Sequence, residues 1–465
     1  MKKYVNLLQN IGIFTLTNFT TKILNFFLLP LYTYYLTTIE YGTIDLLNTI
    51  IQLLYPFFTL TIIEAVLRFS ISNKNELKEI FTIGVNVILL GFLFLSIATG
   101  IISLFVIKKI TLVYFLIIFL VQAINSLLGA FMKALDKVKF MALITTLVSF
   151  SVLILNIFFI TILKQGIQGY WFGTIIGNII GIILYIFISN PFKYYCIRKN
   201  KKHYQFLFKE MLSYSLPLIP NALFWWINSS LDRLTLSYVC GLSVVGLYAC
   251  ANKIPTIIST INTIFSQAWN LSLFENSCTD ERNNFYSFTF TIFNEIIFCC
   301  TIGVILLSKL LGTLMFSENF YTAWFYIPIL TMGVYYNCLN SFLGSMFTAT
   351  KNTKFIFTTT IIGSLSNIFL NIPMVYIANA IGAAIATLIS YLLVYFARSK
   401  KLYKLYGIKS NLQNILFQLG FLMVETIIIM NDYLWIMAVI IVIMYYIKFL
   451  FYAFSRLKEI QLEKK

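Results

Sequence analysis

The sequence predicts an all-α integral membrane protein of about fourteen transmembrane helices, arranged as two parallel six-helix lobes plus two C-terminal helices. Three observations predict it. Of the 465 residues, 59% are hydrophobic and only 11% are charged, with a mean hydropathy of +0.85. A soluble protein of this length keeps far more charge on its surface. Apolar runs of about 18 residues or more, enough to span a bilayer, recur from end to end. Once these runs are threaded across a membrane, the basic residues fall almost entirely on one side.

The expected spans are residues 11–36, 43–68, 80–106, 111–133, 140–163, 167–189, 211–239, 243–274, 286–308, 320–348, 355–376, 379–397, 412–430 and 433–454. They are read as helices because lipid forces each backbone group to be satisfied within its own segment. A β-barrel would need short alternating segments instead of long, continuously apolar ones. The first run, "MKKYVNLLQNIGIFTLTNF", starts basic but has no small-residue cleavage site and continues past Pro30. It reads as a retained helix, not a removed signal peptide. With the N-terminus inside and one crossing per span, the inside segments collect 27 of the 34 Lys and Arg residues. The outside loops collect only Lys108, Lys109, Lys164 and Lys309. Both termini are therefore expected in the cytoplasm. The net charge of +17 follows from the same asymmetry, and no nucleic-acid motif accompanies it. The bilayer is the expected partner and nucleic acid is not. The seven cysteines fit neither a zinc site nor a disulfide framework and read as helix packing.

The longest inside connection is "NPFKYYCIRKNKKHYQFLFKEM", rich in Lys and Arg. The expected organisation is an N-lobe of helices 1–6 at 1–189, a basic cytoplasmic linker at 190–210, a C-lobe of helices 7–12 at 211–397, and helices 13–14 with a tail at 398–465. The halves echo each other. A shift of 204 aligns "YYLTTIEYGTIDLL" with "YVCGLSVVGLYACA", matching Tyr34 to Tyr238 and Gly42 to Gly246. Six helices return the chain to its starting side, so the repeats are parallel, an architecture that places transporter sites at the interface between halves.

Three basic residues remain, Lys22, Arg233 and Lys253, and all lie within spans. Ionisable groups at membrane depth face a cavity or a partner, not lipid. In "FWWINSSLDRLTLSYV", Asp232 precedes Arg233, but helix neighbours point about 100° apart and need not bond. Lys253 is an alternative partner for Asp232. The two readings are structural ion pairs and a cationic lining for an anionic substrate. Glu64 and Arg68 are four apart, on one helix face. Glu295 and Glu425 fall mid-span, where a carboxyl either takes part in proton or sodium coupling or stays protonated. Glu295 and Glu64 stand as the candidate ion-coupling residues. Pro30, Pro217, Pro220 and Pro255 are expected to bend spans one, seven and eight, which Asn25 and Asn228 also make polar.

Enzyme chemistry finds no support. The one histidine, His203, lies in the basic linker, and there is no P-loop and no acidic metal cluster. No cofactor is expected.

Two stretches carry a resemblance. "TKILNFFLLPLYTYYLTTIEYGTIDLLNTI", and "LSYSLPLIPNALFWWINSSLDRLTLSYVCGLSVVGLYACANKIPTI" followed by "IFSQAWNLSLFEN", resemble bacterial polysaccharide repeat-unit flippases. These are the O-antigen, capsule and exopolysaccharide flippases of the multidrug/oligosaccharidyl-lipid/polysaccharide exporter superfamily. The resemblance implies a bacterial cytoplasmic-membrane transporter with a central alternating-access cavity lined by helices one, two, seven and eight. The implied cargo is an oligosaccharide repeat unit on polyprenyl pyrophosphate, moved from the cytoplasmic to the outer leaflet. The family's cationic positions match Lys22, Arg233, Lys253 and Arg68. Asp232, Asn25 and Trp226 complete the expected substrate-binding set, with Trp226 offered as a sugar-stacking face. Other polysaccharide-assembly proteins are expected partners. The alternatives are a cation-coupled multidrug exporter, which should line its cavity with acids, and a peptidoglycan lipid-precursor flippase. A membrane-embedded polymerase would need a large outside loop, and every outside connection here is short.

Overall fold

The computed structural model describes residues 2–104, 109–195, 201–275, 282–349, 352–406, 412–431 and 436–447. Helix dominates, and no strand occurs among the described residues. The chain divides into two compact units, Met1–Leu234 and Thr235–Lys465. The first holds α1 (Lys2–Tyr35), α2 (Thr38–Phe58), α3 (Ile62–Ser72), α4 (Leu77–Ile102), α5 (Lys109–Ala134), α6 (Val138–Ile157), α7 (Gly166–Ser189), α8 (Lys201–Ser215) and most of α9 (Leu218–Val239). The second holds α10 (Leu242–Lys253), α11 (Thr256–Glu275), α12 (Arg282–Leu306), α13 (Ser308–Met315), α14 (Ile327–Ala349), α15 (Thr353–Tyr406), α16 (Leu412–Met430) and α17 (Ile436–Ile447).

Among the described residues, seven helices are long and apolar enough to cross a membrane, or nine if α2 with α3 and α10 with α11 each count as one bent span. One of the seven, α15, loses helical geometry at Ala378 and Asn379, the boundary expected between spans eleven and twelve.

The bends have distinct causes. Between α10 and α11 the axis turns by 44° at Ile254–Pro255, as the proline suggests. Between α2 and α3 it turns by 53°, where the sequence predicts one continuous span. Leu60 and Thr61 there adopt left-handed backbone at φ 50° and 48°, a conformation unfavourable for side chains with a Cβ. A tertiary contact holds the strained turn: the Thr61 hydroxyl donates to the Ser215 carbonyl at 2.6 Å. By contrast α1 runs through Pro30 as one helix. Pro217 separates α8 from α9, so the segment expected as one span at 211–239 is two helices, and α9 is not among the helices counted above. Pro220 sits in the first turn of α9, where no N–H is needed. Within the segment expected as a linker, α8 buries Leu207 and Met211 and exposes Phe206.

The internal repeat is legible in the helix ends. Under the same shift of 204, the last residue of α1, Tyr35, matches that of α9, Val239. The starts of α2 and α10, Thr38 and Leu242, match too, as do the ends of α4 and α12, Ile102 and Leu306. The two hairpin turns use different chemistry at one position. Thr37 caps α2 through its side chain in a capping box with Glu40. Its counterpart Gly241 makes the turn with φ +86°, open to glycine.

Close packing in the first unit rests on small residues. Gly169, Gly173, Gly177 and Gly181 set a four-residue stripe on α7 against α6 and its continuation. The second unit packs around an aromatic core in which Phe342 stacks on Trp269 and Phe293, with ring centroids 4.7 and 4.9 Å away.

Candidate functional site

Arg233 lies six residues before the end of α9, and Asp45 lies seven after the start of α2. The two helices present these residues to each other. Arg233 Nε donates to Asp45 Oδ2 at 2.6 Å, and Nη1 donates to the Ser229 carbonyl at 3.0 Å. The side chains are 14% and 15% exposed, so this is a largely desolvated ion pair. Two more contacts tie α2 into its surroundings. Trp226 Nε1 donates to the Thr49 carbonyl at 3.0 Å, and Asn48 Nδ2 donates to the Tyr170 hydroxyl at 3.2 Å. Tyr170 meets Tyr32 edge to face, and Tyr32 accepts from Asn156 Nδ2 at 2.9 Å. Polar and aromatic contacts thus fix the helix that carries Asp45. Such a pair suits an exchangeable anion site, because the planar guanidinium that now faces a carboxylate can face a phosphate in the same way.

The other expected residues are placed as follows. Asp232 is buried at 4% exposure, while its neighbour Arg233 pairs with Asp45 on another helix. Lys22 is half-buried on α1, and the side chain of Asn25 lies outside the described residues. Lys253 ends α10 in the second unit, half-buried, with no ion pair to it among the described residues. Trp226 is 7% exposed and uses its N–H on the backbone, whereas Trp225 is 48% exposed. In this structure the open indole of the pair is therefore Trp225. Trp269 is core, donating to Ser345 Oγ at 2.9 Å. Glu64 and Arg68 are both exposed on α3 and form no ion pair with each other. Arg68 instead places its guanidinium 4.4 Å above the Tyr214 ring of α8, a cation–π contact. Glu295 sits in α12 within a hydrogen-bonded group of neutral side chains.

An apolar cavity of about 380 Å³ lies in the first unit between α4, α5 and α7, lined by Phe81, Ile88, Leu127 and Ile182 among others. It contains none of the expected site residues.

A model of the polysaccharide biosynthesis protein family matches residues 7–270, more than half of the chain. The chain belongs to that family. No curated protein matches it. Among solved structures, this family member is similar to a lipid II flippase, MurJ, in an inward closed conformation. The identity is 19%, over 96% of this chain and 99% of that one, with a TM-score of 0.72. It is also similar to an inward-facing multidrug resistance transporter of the MATE family, at 12% identity over 84% of this chain and 96% of that one, with a TM-score of 0.64. At these identities the likeness establishes the fold: a multi-pass, all-α membrane protein with the architecture of flippases and exporters.

Sequence reasoning missed two charged residues of this polysaccharide-family chain. Asp45 is within reach of the sequence, as an acid seven residues into α2, close to the first hairpin. Arg398 is harder to find. Sequence threading puts it in an inside segment, yet it is 4% exposed. Nε donates to Thr359 Oγ1 at 3.0 Å and Nη1 to the Asn340 carbonyl at 2.7 Å. Only tertiary packing reveals that these carbonyl and hydroxyl acceptors surround it.

Proposed function

We propose that the protein moves a polyprenyl-pyrophosphate-linked oligosaccharide repeat unit from the cytoplasmic to the outer leaflet of the bacterial cytoplasmic membrane, by alternating access, for surface polysaccharide assembly. Membership of the polysaccharide biosynthesis family and the flippase fold support the class of cargo. The observation that carries the reading is the Arg233–Asp45 pair, a largely desolvated guanidinium whose Nε meets a carboxylate at 2.6 Å. A diphosphate headgroup carries more negative charge than Asp45 and offers two acceptor oxygens to the fork. It displaces the carboxylate, which frees α2 from α9. Lys22, in the same unit as Arg233, serves the headgroup as a point charge, and Trp225 offers a sugar-stacking face. The polyprenyl chain remains in lipid, since only the headgroup meets a prohibitive barrier there.

Expression in a strain lacking its repeat-unit flippase but carrying this protein's own sugar pathway tests the reading. Restored surface polysaccharide, with clearance of lipid-linked repeat units from the inner leaflet, is the expected result. Failure there, combined with rescue of cells depleted of their peptidoglycan-precursor flippase, would reassign the cargo. Failure of both, with resistance to cationic drugs, would make the protein an exporter.

A further inference from the structure

The second unit holds two acids inside its packed helices, and neither forms an ion pair with Lys, Arg or His among the described residues. Glu295 of α12 is met by neutral donors. Tyr445 of α17 donates to Oε2 at 2.6 Å, and Gln418 of α16 donates to Oε1 at 3.2 Å. Asn414, one turn earlier, reaches the same oxygen at 3.5 Å. Gln418 in turn accepts from Asn294 Nδ2 at 3.0 Å. The Tyr335 hydroxyl of α14 lies 2.6 Å from Asn294 Oδ1 and 2.9 Å from Gln418 Oε1, and its one proton serves either. Two turns beyond Gln418, on the same face of α16, Glu425 is 2% exposed, and neither of its oxygens has a hydrogen-bond partner in the protein.

Helix-to-helix polar glue explains Asn294, Gln418 and Tyr335, which satisfy one another. It does not explain the acids. At position 295 two side-chain amides meet Oε1 and the Tyr445 hydroxyl meets Oε2, so both carboxyl oxygens are engaged by groups without charge. At position 425 the protein offers no donor at all, and a charge there without a partner is prohibitive. One carboxyl is thus met by neutral hydrogen-bond partners and the other by none. Between them run Tyr445 and Tyr446, successive residues of α17. The Tyr446 hydroxyl donates to the Cys299 carbonyl at 2.8 Å, one turn along α12 from Glu295.

We propose that the interface of α12, α16 and α17 is a proton-binding site, in which Glu295 takes up and releases the proton while Glu425 keeps its own. Each uptake adds one proton to a carboxylate oxygen and each release returns one. Protonated at Oε2, Glu295 becomes the donor to the Tyr445 oxygen, whose own proton must then turn away. The hold of α17 on α12 thereby changes with every proton. The other titratable groups facing the site are Tyr335 of α14, Tyr446 of α17, and Cys299 and Cys300 of α12. On α11, Phe265 packs on Phe293 at 4.6 Å, and Lys309 of α13 lies over the Trp324 ring. The inference does not depend on the cargo proposed above.

Infrared difference spectroscopy of the full-length protein in nanodiscs tests it without any substrate. At neutral pH the spectrum should contain a protonated-carboxyl C=O band that Glu425→Gln removes. Acidification should add a second such band, lost in Glu295→Gln and shifted in Tyr445→Phe, while sodium at constant pH changes neither. Absence of the first band, persistence of the second in Glu295→Gln, or a response to sodium in place of acid would overturn the site. Where a glutamine variant does not accumulate, Tyr445→Phe decides alone: a moved acid-induced band supports the site and an unmoved one removes it. These outcomes are separate from complementation, so failure of the proton site and failure of the flippase reading are distinguishable.

Discussion

Arg233→Ala is expected to abolish export of surface polysaccharide, with lipid-linked repeat units accumulating inside the cell. Arg233→Lys keeps the charge but loses the planar fork, and lowers export roughly tenfold, the equivalent of about 1.4 kcal/mol. Stability must be separated from function, because Arg233→Ala also strands Asp45 in a site only 15% exposed. Removing one partner of a buried ion pair costs about 3–5 kcal/mol, and the partial exposure here favours the lower end. The double variant Arg233→Ala/Asp45→Asn removes the stranded charge. It should recover most of the lost thermal stability, measured in detergent, while export stays absent. Recovery of both would return the pair to a purely structural role.

Gly177→Leu prevents the protein from accumulating in the membrane. A Cβ at this position would lie 2.5 Å from Val152 Cγ2 and 3.0 Å from the Val152 backbone nitrogen, so even alanine must displace α6. Overpacking typically costs about 1–3 kcal/mol, and leucine here meets backbone as well as a β-branched side chain that cannot swing clear. Four glycines share this contact stripe, so separating the helices at one turn loosens the next. Membrane levels of Gly177→Ala and Gly177→Leu, compared by immunoblot, should fall in that order. Normal levels of the leucine variant would show that α6 and α7 can part without loss of the fold.

The fold was legible in the sequence wherever it depends on one-dimensional quantities. Hydropathy gave the class, and the 204-residue shift placed the two hairpins, down to matched ends of α1 with α9 and of α4 with α12. What escaped depends on tertiary contact. The bend at Leu60 and Thr61 has no glycine or proline at its centre, and it is held by a hydroxyl reaching Ser215, distant in sequence. Pro30 supports no break, because its effect depends on what surrounds α1. At the site, Arg233 stands out as a charge in an apolar run, but nothing in the run names its partner, Asp45 on α2. Glu64 and Arg68 had the spacing of an ion pair, and the structure gives Arg68 to the Tyr214 ring. Spacing along one helix shows which residues can meet. It does not weigh them against partners on other helices.

The proposed exchange requires Asp45 to hold Arg233 in place of a phosphate. Binding of polyprenyl pyrophosphate to the purified full-length protein, followed by native mass spectrometry, tests this most directly. Asp45→Asn removes the competing anion and should tighten binding by roughly tenfold, about 1.4 kcal/mol, while Arg233→Ala should abolish it. If Asp45→Asn instead weakens binding as severely as Arg233→Ala does, the carboxylate supports the site rather than yielding it, and the exchange mechanism is contradicted.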